Sequence, residues 1–132
     1  MPEKRLSGAI AQIKNYLVAM ENQNLPLAKS FLNTNFKLTF PGNNVFSNIE
    51  DAIDWSKLRY NWVKKNYDRF EPLISNKNIV VYCYGTLYGE WLDTKIFSDI
   101  RFIDRFTLKE NKLSDQKVWN DLAEYKAKIN LL

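Results

Sequence analysis

The feature that most narrows the fold is a change of hydrophobic period near residue 67. Before it, apolar residues recur at helical spacing; after it, they alternate. Ile10, Ile13, Leu17 and Met20 form one stripe of a helix over about 7–22, with Tyr16 on the edge of that stripe. Asn22-Gln23-Asn24 breaks this helix, and Pro26 opens a short second one with Leu27, Ala28, Phe31 and Leu32 facing inward. Phe36, Leu38 and Phe40 alternate with Lys37 and Thr39 as a short strand, which ends at the turn Pro41-Gly42-Asn43-Asn44. Ser47-Asn48-Ile49-Glu50 reads as a capping box, in which the serine hydroxyl and the glutamate carboxylate satisfy free amides of a third helix. The spacing carries that helix to about 67, with Ile49, Ala52, Ile53, Tyr60 and Val63 inward and Trp55 and Trp62 flanking.

The second half predicts a strand over about 69–75, a turn at Asn76-Lys77-Asn78, and three strands over about 79–91, 96–108 and 113–122. The connections near Asp93-Thr94 and at 109–112 are short, which requires antiparallel neighbours. Strands longer than about ten residues require a bent sheet with bulges. Helices gathered before strands predict an α+β fold, and 132 residues suit one domain over 1–132.

The strand over 96–108 carries the most chemical information. One face shows Ile100, Phe102, Asp104, Phe106 and Leu108; the other shows Asp99, Arg101, Ile103, Arg105 and Thr107. Asp104 thus sits within an apolar face. A buried carboxylate needs a dedicated partner, or it becomes neutral and donates a hydrogen bond. Both a structural and a pocket role remain open for it. The strand over 113–122 shows no clear core face and reads as an edge strand or a bulged one, with Trp119 as packing. Tyr82, Tyr84, Thr86, Tyr88 and Glu90 share a face that could line a pocket or meet a second subunit, the interface being the stronger reading.

The composition excludes several chemistries. The chain has no histidine, which removes histidine-based triads, proton relays and most zinc or iron sites. No metal and no cofactor is expected. Cys83 is the single cysteine and reads as a small buried hydrophobe. The formal charge is +4, but the basic stretch from Lys57 to Arg69 is interrupted by acidic residues, so no nucleic-acid partner is expected. No apolar run is long enough to cross a membrane, the N-terminus lacks an apolar signal core, and a cytoplasmic location is expected.

The order of elements resembles the nuclear transport factor 2-like superfamily, which includes SnoaL-like polyketide cyclases, ketosteroid isomerase and scytalone dehydratase. The resemblance is carried by Asn15 to Met20, Phe31-Leu32, the strand Phe36 to Phe40 before Pro41-Gly42, the helix opening Ile49 to Ile53, and Ile103 to Phe106. It implies a cone-shaped fold with three N-terminal helices on a strongly curved, mostly antiparallel sheet, and a homodimer through the outer sheet face. In ketosteroid isomerase a tyrosine of the first helix and a protonated aspartate of a strand form an oxyanion hole; Tyr16 and Asp104 match those positions. The isomerase's general base precedes a proline, where this chain has Phe40, and the dehydratase relies on histidine.

Three readings follow. The first is a pocket protein binding a small, largely apolar or polycyclic ligand, with Phe36, Phe40, Trp55, Phe102 and Phe106 as walls and Tyr16 and Asp104 fixing a polar group. The second is an isomerase, lyase or cyclase acting on an enolisable ketone, with Tyr16 and Asp104 as catalytic donors and Glu71 or Glu90 as base. The third is a dimeric interaction module.

Overall fold

The computed structural model describes residues 2–130, which form six strands and four helices. In chain order they are α1 (Pro2–Glu21), α2 (Leu25–Ser30), β1 (Leu32–Phe40), β2 (Asn44–Phe46), α3 (Ile49–Lys57), β3 (Tyr60–Ser75), β4 (Asn78–Trp91), β5 (Ile96–Lys109), β6 (Lys112–Asn120) and α4 (Leu122–Asn130). The strands form one sheet in the order β2-β1-β6-β5-β4-β3, antiparallel throughout except for the parallel pair β1 and β6. The class is α+β, with three helices before the long strands as expected.

Helix α1 buries Ala9, Ile13, Tyr16, Leu17 and Ala19, so Tyr16 lies in the middle of the buried stripe and not on its edge. The helix starts are set by asparagines. The Asn24 side chain accepts from the Leu27 amide at the head of α2, and the Asn48 side chain accepts from the Asp51 amide at 2.9 Å at the head of α3. The expected capping box therefore shifts by one residue. Ser47 accepts from the Lys37 ammonium instead, and Glu50 pairs with Lys29 at 2.8 Å.

The largest departure from the sequence reading is in 58–75. Helix α3 ends at Lys57, and the segment expected as its second half belongs to a strand of 16 residues. Tyr60 and Val63 do pack against the core, as the helical spacing implied. They share a side because β3 bulges between Tyr60 and Trp62, so a three-residue spacing lands on one sheet face. The ladder with β4 then runs from Tyr60 to Ser75, and this pairing overrides the local helical pattern.

Strand β6 is interior to the sheet, between β1 and β5, and not an edge. Its core face is Gln116 and Val118, with Leu113 brought to the same side by an irregular register. The chain leaves β6 at Asn120, whose side chain accepts from the Leu122 amide, and α4 follows where the sequence suggested more strand.

The sheet bends through bulges opposite or beside glycines. One falls between Tyr67 and Arg69, across from Gly85; another lies between Leu87 and Gly89 and places Asp99 at φ 59°. A Cβ added to Gly85 would lie 1.9 Å from the Asn66 carbonyl oxygen, and one on Gly89 would lie 2.3 Å from that of Trp62. Neighbouring backbone occupies the space, so glycine is required at both positions. Gly85→Ala is expected to destabilise the protein by roughly 1–3 kcal/mol or more, read as a lower urea midpoint at unchanged slope. An unchanged midpoint would show that the bulge yields freely.

Candidate functional site

A cavity of about 270 Å³ lies between the inner sheet face and helices α1 and α3. Aliphatic and aromatic groups form most of its wall, among them Met20, Leu38, Phe40, Ile53, Leu87 and Phe102. Tyr16, Lys65, Asp104 and Gln116 also line it. The sheet's regular alternation turns Asp104 inward from β5 and Gln116 inward from β6, while α1 lays Tyr16 across them.

These four side chains form a connected polar cluster. The Tyr16 hydroxyl donates to Gln116 Oε1 at 3.3 Å, and Gln116 Nε2 donates to Asp104 Oδ2 at 3.5 Å. Lys65, reaching from β3 across β4, donates to the same oxygen at 2.5 Å. The Lys65 ammonium also stands 5.0 Å from the centre of the Phe102 ring. Asp104 is fully buried, whereas the Lys65 side chain keeps 21% of its surface exposed. Among the described residues no donor reaches Asp104 Oδ1, a buried atom.

Burial pushes the Asp104 carboxyl above the ordinary carboxylate range; the Lys65 charge and the Lys65 and Gln116 hydrogen bonds oppose this without cancelling it. Burial opposes the charge on Lys65, but nearby Asp104 outweighs it and holds the ammonium above the usual lysine value. The 2.5 Å contact joins the two groups as a salt bridge, with the carboxylate more easily protonated than an exposed one. Burial raises the Tyr16 phenol well above its ordinary value, so it stays a neutral donor. Burial also pushes the Cys83 thiol up to about 12, which leaves it a packed, unreactive group as the sequence suggested.

The residues singled out from the sequence divide in two. Tyr16, Phe40, Phe102 and Asp104 line the cavity; Phe36, Trp55 and Phe106 do not. Phe36 and Phe106 stand behind Tyr16, with edge contacts at 6.5 and 6.4 Å between ring centres. Trp55 stacks on Phe40 at 5.0 Å and carries Arg59 on its ring at 4.6 Å. Tyr16 and Asp104 share the polar cluster but do not form two free donors: one donates to Gln116, the other accepts from Lys65. Glu71 and Glu90 lie on the opposite sheet face, hydrogen-bonded to Tyr84 and Asn61, and supply no base to the cavity. Lys65 and Gln116 were not anticipated. Reading 58–75 as a strand would have exposed Lys65, which shares a period-two face with Val63.

A second, larger depression of about 750 Å³ lies over the ends of β1, β5 and β6. Its charged members Arg101 and Asp121 are already paired at 2.6 Å, and Trp119 and Lys117 there are exposed, so it lacks the sheltered polar cluster of the first.

Comparisons with known proteins agree on the fold. No protein-family model and no curated protein matches the chain. Among solved structures, TerC co-crystallised with polyporic acid superposes with a TM-score of 0.76 at 13% identity, covering 93% of this chain and 98% of that one. A nuclear transport factor 2-like protein of unknown function from Burkholderia pseudomallei K96243 gives 0.72 at 15% identity, over 89% and 94%. A proposed SnoaL-like polyketide cyclase from Jannaschia sp. CCS1 gives 0.62 at 14%, over 88% and 90%. The chain has the nuclear transport factor 2-like fold; at these identities the likeness extends to the fold alone.

A buried ion pair adds little net stability, because desolvating two charges offsets their attraction, yet breaking it strands a charge. Lys65→Met is expected to cost about 3 kcal/mol near neutral pH, and Lys65→Met/Asp104→Leu to recover most of that. The pH dependence has a definite sign. A carboxyl whose pKa rises on folding contributes stability that is full below its unfolded value and lost as pH climbs through the raised value. Stability of the native protein relative to Asp104→Asn should therefore fall as pH rises from the ordinary aspartate value, about pH 4, through the raised value of the folded state. Paired thermal melts across that range check this; a difference independent of pH would contradict it.

Proposed function

We propose that the protein binds a small, largely apolar molecule in the cavity beneath its sheet, anchored by one polar group. The observation that carries this is the buried Asp104 carboxylate, paired with Lys65 at 2.5 Å and facing a mostly apolar chamber. Ligand sites commonly combine an apolar wall with a few convergent polar groups, in volumes from roughly 300 Å³ upward. A cavity of about 270 Å³ selects a compact molecule of one or two fused rings. The polyporic acid co-crystallised with TerC and the cyclase name of the Jannaschia protein support an aromatic or polycyclic ligand.

Binding of naphthalene, followed by quenching of intrinsic fluorescence, tests the reading. Ala52, buried on α3, lines the cavity, so Ala52→Phe should fill it and weaken binding about tenfold or more while the protein stays folded. Equal binding to both proteins, or failure of the native protein to bind naphthalene and its hydroxylated derivatives alike, would overturn the proposal.

The face turned away from the helices fits pairing with a second copy of the chain. Tyr82, Tyr84 and Tyr88 are half-buried there, and Trp62, Ile103 and Trp119 are 39%, 37% and 49% exposed. Aromatic residues with an apolar neighbour, placed on strands that hold them rigidly, suit a subunit interface. Light scattering at micromolar concentration should report a dimer, and Ile103→Glu should shift it toward monomer. A native monomer under those conditions would contradict the assignment.

A further inference from the structure

The unpartnered valences of the polar cluster define the ligand more narrowly, given the cavity reading above. Tyr16 spends its proton on Gln116, and Gln116 turns one amide proton to Asp104 Oδ2. Asp104 Oδ2 is doubly engaged, by Gln116 and Lys65, but Oδ1 receives no donor from the described residues. A carboxylate oxygen buried this way is costly until something donates to it. Lys65 has the opposite surplus. An ammonium carries three protons, and among the described residues one acceptor, Asp104 Oδ2, takes one of them.

Asp104, whose Oδ1 lacks a donor, and Lys65, with protons to spare, both line the chamber and are held 2.5 Å apart. We infer that the ligand carries two oxygens on adjacent carbons, as a catechol or a hydroxyketone does: one hydroxyl donates to Asp104 Oδ1, and the neighbouring oxygen accepts from Lys65. The rest of the molecule is a flat ring system seated against Phe102 and Leu87. Such a ligand completes both groups without separating the ion pair. A ligand with a single carboxylate would set a negative charge beside Asp104, and an amine would compete with Lys65 for it; the paired arrangement disfavours both. This inverts the oxyanion-hole arrangement, since the aspartate accepts from the ligand and the lysine is the donor.

Four ligands with one ring skeleton test the assignment by titration against intrinsic fluorescence: naphthalene, 2-naphthol, 2,3-dihydroxynaphthalene and 2,3-dimethoxynaphthalene. The expected order places 2,3-dihydroxynaphthalene about tenfold or more tighter than naphthalene, with 2-naphthol between them. The dimethoxy compound keeps both oxygens but has no proton for Asp104 Oδ1 and should lose the advantage. Asp104→Asn should reduce the ratio of diol to naphthalene affinity to about one. If that variant does not fold, the ligand series on the native protein decides the matter alone. Equal affinity for naphthalene and the diol would overturn the inference and leave the cavity reading standing. Failure of all four to bind would overturn the cavity reading, and this inference with it.

Discussion

The contact between Lys65 and Asp104 is the point on which the interior of this protein is organised. Asp104 is placed by alternation along β5 in a row otherwise made of Ile100, Phe102, Phe106 and Leu108, all buried. An unpaired carboxylate there would be several kilocalories unfavourable, and only a charge from outside that row can answer it. Lys65 supplies it from two strands away. It can do so because β3 continues along β4 for its whole length.

Stability alone does not account for such a pair. Apolar residues of similar volume would serve the core as well or better, since burying two charges offsets most of what their attraction returns. What the pair provides is a fixed dipole at the wall of a mostly apolar chamber that both residues line. Tyr16 and Gln116 extend it into a chain of hydrogen bonds from α1 to β5. Such a chain holds each group in one orientation, which is what a selective small-molecule site needs.

Much of this was written in the sequence, and the misses have physical causes. The long strands declare themselves because their faces alternate cleanly over ten or more residues and their turns are short. Asp104 stood out because a charged residue breaks an apolar row, a signal that needs no tertiary information. The segment after Lys57 misled because a bulge at its start mimics helical spacing; only the partner strand reveals the bulge. Lys65 was hidden with it, since on a helix it reads as one more solvated cation. Gln116 was hidden for a related reason: the irregular register of β6 scrambles its faces, and a lone glutamine carries no charge to betray burial. Phe36, Trp55 and Phe106 show the limit of composition, because a core-facing ring and a cavity-facing ring have the same pattern in one dimension. Three rings took places behind the first layer that the sequence could not order.

The ionisation state of Asp104 decides the central claim. Its side-chain carboxyl carbon can be followed by carbon-13 NMR, with the resonance assigned by its loss in Asp104→Asn, and titrated over the full range in which the protein stays folded. The account predicts an ionised carboxylate at neutral pH whose midpoint lies above that of exposed aspartates, because burial raises it and Lys65 pulls only part of the way back. A carboxyl still protonated at neutral pH would mean that Lys65 does not pair with it, and a midpoint equal to that of exposed aspartates would mean that the group is not enclosed. Either result would contradict the arrangement described here.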